Sequence, residues 1–236
     1  MKGVWYGRCN KGDRSGMTKL TLEALYTLHL MNDYSNDLPF IPLPPLNSDE
    51  NRKSQLQKVL QKGYKDLEAL ELVKDGQPTP EFVVYGYFLD LYAKSSYHFQ
   101  IDSNYYCAPG IDQRKRMVVI IKKIAEGEFI IDYFNTIALL SILMENHEIL
   151  HNLNEKKKNY LKAEWEPYAY MKLQFYYKNS KMIRLMTEEL GKITGDVLFF
   201  NTDSGLFEYD LMRERIRSVS ADELKHTLIK GMKVRV

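Results

Sequence analysis

The chain has 236 residues, 44% hydrophobic and 27% charged, with a mean hydropathy of −0.40. A chain this long buries about 70% or more of its unfolded surface without help from a disulfide, a metal or an oligomer. Its 33 Lys and Arg against 31 Asp and Glu leave a formal charge of +2, so no long-range field points to nucleic acid, a membrane surface or an acidic substrate, and disordered, fibrous and membrane-embedded classes are excluded.

Residues 1–16 are polar and Gly-rich, lack the apolar stretch of a signal peptide and read as a flexible extension. Met17 is a second candidate initiator beside Met1, because codons for Asp13-Arg14-Ser15 can spell an AGGAG-like ribosome-binding sequence. Cys9 and Cys107 lie far apart, which fits unreactive thiols in a reducing cytoplasm and excludes a disulfide framework. The longest apolar run, Phe129 to Met144, is broken by Asp132, Asn135 and Thr136 and falls short of the ~20 residues that span a bilayer. The expected location is therefore cytoplasmic, with no membrane insertion.

A first helix is expected from Thr21, whose hydroxyl caps free N–H groups, with Leu20 and Leu25 as a hydrophobic staple. Residues 37–46 carry four prolines (Pro39, Pro42, Pro44 and Pro45) and cannot hydrogen-bond regularly. They read as an extended loop packed on its own domain, with ligand use by a proline-binding partner the other reading. Ser48 is expected to start a second helix that stops at Gly63, and a third runs from Asp66 to Val73, ending at the turn Lys74-Asp75-Gly76. Thr79-Pro80-Glu81 is a strong helix start, and the helix it opens reaches about Ala93.

The periodicity then changes from 3.6 to 2 at Tyr97 to Asp102, a half-buried strand with Tyr97, Phe99 and Ile101 on the dry side. Met117 to Ile124 reads as a strand covered on both faces. Its hairpin with Phe129 to Phe134 is expected at the middle of a sheet. Ile137 to His151 returns to helical spacing. Tyr170 to Tyr177 alternates, Val197 to Asn201 and Leu206 to Leu211 flank a turn, and Ser220-Ala221-Asp222-Glu223 is a capping box before a last helix. Segregated helices and hairpins predict an α+β fold: a central antiparallel or mixed sheet flanked by helices, one domain over residues 17–236 with halves at 17–150 and 151–236.

The one catalytic pattern is His147-Glu148-Ile149-Leu150-His151, which fits H-E-x-x-H on an expected helix. In a zinc peptidase the two histidines bind the metal from one helix face and the glutamate takes a proton from bound water. The third ligand would have to be a glutamate such as Glu164, Glu166, Glu188 or Glu189; the competing reading is the polar end of an amphipathic helix. His29, His98 and His226 show no paired carboxylate or nucleophile at a meaningful spacing, and Glu188-Glu189 reads as a solvated helix end. The runs Arg114-Lys115-Arg116 and Lys156-Lys157-Lys158 read as solvated surface, with no nucleic acid implied. The 17 tyrosines are more telling. On the strand at 170–177, alternation leaves Tyr170, Lys172, Gln174 and Tyr176 on the wetter side, where tyrosines suit a protein partner unless another segment of the chain covers them.

The order of these segments resembles a known family. Leu20-Thr21-Leu22-Glu23-Ala24-Leu25, Leu38-Pro39-Phe40, the Gly63 to Gly76 stretch, Thr79-Pro80-Glu81-Phe82, the hairpin at 117–134 and the turn Asn201-Thr202-Asp203-Ser204-Gly205 are similar to the EspG family of type VII (ESX) secretion chaperones. The resemblance covers nearly the whole chain from residue 20, and it is one of pattern and order. It implies a cytoplasmic, two-halved α+β protein without enzymatic activity or cofactor. Its partner would be a helical secreted protein or helical-hairpin heterodimer of the WXG100, LXG or PE–PPE type. Because fold does not fix function, an immunity protein for a secreted toxin or an assembly factor built on a related scaffold is the other reading.

Overall fold

The computed structural model describes residues 18–32, 37–45, 51–110, 116–151 and 181–235. Helix α1 (Leu22–Met31) begins where the sequence places it: Thr21 Oγ1 accepts from the Ala24 N–H at 3.1 Å, and Leu20 and Leu25 are both buried. Helix α2 (Arg52–Ala69) is capped by Asn51 and runs through Gly63 without a break. Gly63 is therefore no helix stop, and no separate third helix begins at Asp66. The cause is tertiary: a β-carbon at Gly63 would overlap Thr27 Oγ1 and the Glu23 carbonyl of α1, so the glycine lets the two helices touch. The expected start at Ser48 lies outside the described residues.

Beyond α2, the strands β2 (Val73–Lys74) and β3 (Gln77–Pro78) form a tight hairpin whose turn residues, Asp75 and Gly76, both have positive φ. Helix α3 (Pro80–Ala93) has Thr79 as its cap and proline in its first turn. Residues 37–45 lie against these helices, with Leu38 and Ile41 buried. The Tyr92 hydroxyl donates to the Pro39 carbonyl at 2.5 Å, and the Tyr26 hydroxyl to that of Ile41 at 3.2 Å.

Nine strands form one antiparallel sheet among the described residues, in the order β1-β7-β6-β5-β4-β8-β9-β10-β11. These are β1 (Leu20–Thr21), β4 (Tyr97–Ile101), β5 (Tyr105–Pro109), β6 (Met117–Ala125), β7 (Glu128–Asn135), β8 (Met182–Glu189), β9 (Lys192–Thr202), β10 (Gly205–Asp210) and β11 (Arg215–Ser218). The fold is thus α+β with a large antiparallel sheet. Two meanders, β4 to β7 and β8 to β11, are each followed by a helix: α4 (Thr136–Asn146) and α5 (Ala221–Met232). They join where β4 pairs with β8, Phe99 opposite Thr187 and Ile101 opposite Leu185.

This topology corrects one expectation. The β6–β7 hairpin is near one end of the sheet and β4 is at its centre. Val118 to Ile121 are buried on both faces because helices cover both sides of β6, and a strand near the end needs nothing more to read as fully apolar. On one face α1, α2 and α3 cover Tyr106, Ala108, Val119, Ile121 and Phe129. On the other, α4 and α5 cover Cys107, Val118, Ile120, Ile183 and Phe199. A smaller cluster of Met182, Leu198, Phe200 and Phe207 lines β8 to β10 on the side away from Ile183 and Phe199, its two phenylalanine rings stacked at 5.7 Å.

Candidate functional site

Helix α3 is apolar almost all the way round, with Glu81 and Asp90 its only charged residues. A helix of that composition belongs inside a protein. Here only one side is inside: Phe82, Gly86, Leu89 and Ala93, spaced at i, i+4, i+7 and i+11, face the core. The opposite side carries Val83, Val84 and Tyr87, which are 58%, 48% and 55% exposed. Tyr85, Phe88 and Leu91 are half-buried beside them. Gly86 lies under the Asn32 side chain, which a β-carbon would meet at 2.6 Å, so the end of α1 rests on the middle of α3. That end carries exposed Leu30 and Met31. Several large apolar groups on the outward side of α3 form the kind of surface that soluble proteins reserve for a partner.

The rim of this surface is fixed by polar contacts. Glu81 Oε1 accepts from Thr18 Oγ1 at 2.9 Å and from the Tyr85 hydroxyl at 3.2 Å, and Lys94 pairs with Asp90 at 2.7 Å. Burial raises the Tyr85 phenol above its ordinary range against the opposing Thr18 contact, with the Glu81 charge adding to the rise. On the far side of the sheet, α4 is also mainly apolar and exposes Ile137 and Met144.

The end of α3 is anchored to the sheet by His98, whose Nε2 is 2.8 Å from the Tyr92 carbonyl and whose Nδ1 is 2.8 Å from Glu188 Oε2. The N–H of Gly191 donates to the other Glu188 oxygen. His98 and Glu188 are both buried. Two expectations are corrected here. His98 is not on a wet strand face and does have a carboxylate partner, 90 positions away, and Glu188 belongs to a strand, not to a solvated helix end.

A similar clip holds the end of α4, and it decides the geometry of the H-E-x-x-H segment. Helix α4 ends at Asn146, His147 is extended (φ −126, ψ 101), and Glu148–Leu150 form a short 3₁₀ turn. The expected continuous helix from Ile137 to His151 is therefore broken, and the two histidines do not project from one helix face. His147 is buried, its Nδ1 2.9 Å from the Leu143 carbonyl and its Nε2 2.7 Å from Asp102 Oδ2, whereas His151 is exposed. With an oxygen acceptor at each nitrogen, the doubly protonated ring satisfies both contacts and has no lone pair left for a metal. Burial opposes the charged ring, but the Asp102 hydrogen bond and charge, helped by Leu143, outweigh it and raise the His147 pKa. Asp102 Oδ1 in turn accepts from the Arg184 N–H at 2.9 Å, and the Arg184 guanidinium forks onto Asp196 at 2.8 and 2.6 Å.

Among the described residues no three His, Cys, Asp or Glu side chains are grouped to hold a metal ion. Glu164 and Glu166, two of the alternative third ligands, lie outside the described residues, as do Tyr170, Lys172, Gln174 and Tyr176. The sequence reading missed the α3 surface. Its signal was present, since Pro80 to Ala93 has no polar stripe. No family model matches the chain, and no curated protein matches it.

Proposed function

We propose that this protein is a cytoplasmic chaperone or adaptor of a type VII (ESX) secretion system, keeping helical secreted proteins soluble until export. The observation that supports it most is the outward side of α3, where Val83, Val84 and Tyr87 stand in water on a helix without a polar face. A helical partner laying its apolar stripe along the outward side of α3 would bury these groups. Such binding requires shape and apolar area, and no cofactor. The EspG-like order of segments supports the same reading, as does the recurrence of a four-strand meander followed by a helix, β4 to α4 and β8 to α5. No helix among the described residues is long and apolar enough to cross a membrane.

An immunity protein for a secreted toxin would expose a similar surface. Deleting the gene separates the two: loss of export of small helical proteins, with normal growth, supports the chaperone. Self-intoxication with export intact would overturn it in favour of immunity. The remaining alternative, a zinc metallopeptidase using His147, Glu148 and His151, requires one of the His147 ring contacts, with Asp102 or with Leu143, to break and free a nitrogen lone pair. One equivalent of zinc in the purified protein, lost in His147→Ala, would overturn the chaperone reading.

A further inference from the structure

The last helix ends in a cationic groove that the partner-binding reading does not use. It has a volume of about 350 Å³ and is lined by His226, Ile229, Lys230, Lys233, Val234 and Arg235. No acidic side chain lines it. His226, Lys230 and Lys233 recur at i, i+4 and i+7 and so stack along one side of α5 and its cap. A helix C-terminus favours cations in its last turn, which accounts for Lys230 and Lys233. It accounts neither for His226, a turn further back, nor for Arg235 beyond the helix.

Lys230 and Lys233, three residues apart on the helix and its cap, repel one another. Among the described residues no hydrogen bond or ion pair engages the side chains of His226, Lys230 or Arg235. The turn carrying them is nonetheless fixed. Lys233 holds a left-handed conformation at φ +51, with its ammonium 2.9 Å from Glu189 Oε1 and 4.0 Å from the centre of the Tyr97 ring. The Tyr97 hydroxyl donates to the Gly231 carbonyl. Val234 is buried in the core beneath α5, which keeps its neighbour Arg235 at the groove. Lys233 is thus neutralised by Glu189, whereas Lys230 and Arg235 have no counter-ion among the described residues; two unpaired cations at a pre-shaped groove are what an oxyanion site presents before its ligand arrives.

We propose that this groove binds a phosphate-bearing ligand. Lys230 and Arg235 supply the charged donors, Arg235 with the forked geometry that fits phosphate oxygens, and Ile229 lies against the ligand's apolar part. A dianionic phosphate matches two unpaired cations better than one carboxylate does, and the groove's volume of about 350 Å³ falls within the roughly 300–1,000 Å³ of ordinary small-molecule sites. The phosphate can belong to a soluble ester or to a lipid headgroup, and the test distinguishes these sources.

Isothermal titration of the full chain with inorganic pyrophosphate, and co-sedimentation with phosphatidylglycerol or phosphatidylcholine vesicles, are run on the wild type and on K230Q/R235Q. Both substituted residues are exposed, so the variant is expected to keep its circular dichroism and melting temperature. Saturable pyrophosphate binding, weakened about tenfold or more in the variant, supports a soluble ester, because loss of two charge-assisted contacts is worth at least that factor. Sedimentation with phosphatidylglycerol alone, lost in the variant, supports the lipid source. Binding of neither probe, or equal binding by wild type and variant, overturns the proposal and leaves the α3 reading untouched.

Discussion

Replacing His147 by alanine tests whether the clip at the end of α4 is held by a charged ring. The substitution removes the 2.7 Å contact with Asp102 and the 2.9 Å contact with the Leu143 carbonyl. A hydrogen bond to a charged group is worth about 1.5–3 kcal/mol and a neutral one about 0.5–1.5 kcal/mol, so His147→Ala is expected to cost about 3 kcal/mol. For a chain of this size that lowers the melting temperature by roughly 6–12 °C. The effect should depend on pH. The folded pKa of His147 is raised above its ordinary value of 6.5, so its contribution is complete below that value and is lost as pH rises through the raised pKa. Above it the neutral ring donates only one hydrogen bond and turns a lone pair toward the other oxygen. Urea unfolding of wild type and variant at pH 6 and pH 9 reads the difference directly. A gap that is large at pH 6 and smaller at pH 9 agrees with this account. A gap that is equal at both, or larger at pH 9, refutes the charged-ring argument.

Gly63→Ala should destabilise by roughly 2 kcal/mol or more, since its methyl group would overlap the Thr27 side chain and the Glu23 backbone; a denaturation midpoint equal to wild type would show that α1 moves aside freely. Glu188→Ala leaves the buried His98 ring and the Gly191 N–H without their acceptor and should cost about 3–5 kcal/mol. The double variant with His98→Leu should recover part of that loss in chemical denaturation. Burial pushes the Cys107 thiol far above its ordinary range, so peptide mapping after iodoacetamide should find Cys107 unmodified in the native protein and modified only in urea.

What could be read from the sequence was what is decided locally. Thr21, Thr79 and Ser220 each cap a helix within three residues of themselves, and all three appear as expected, Ser220 with the full Glu223 capping box. Positions whose meaning depends on distant partners were misread. Gly63 looks like a stop until α1 is laid across it, and His98 looks wet until Glu188 arrives from the other meander. Strand β8 was missed because Met182 to Glu189 mixes Arg184 and Glu188 into its alternation. Both charges are absorbed by partners far along the chain or across the sheet, Asp196 and His98. The break at Asn146 was invisible because the apolar spacing continues through Ile149 and Leu150, and only the His147 to Asp102 contact shows that the chain has turned.

The central claim is that α3 presents its outer side to a helical secreted protein. Its most direct test is the set of exported proteins from a deletion strain complemented with wild type or with the V84D/Y87D variant. Both positions are exposed, so the variant should accumulate as folded protein. The account expects wild type to restore export of small helical proteins and V84D/Y87D to fail; equal restoration by both would contradict it.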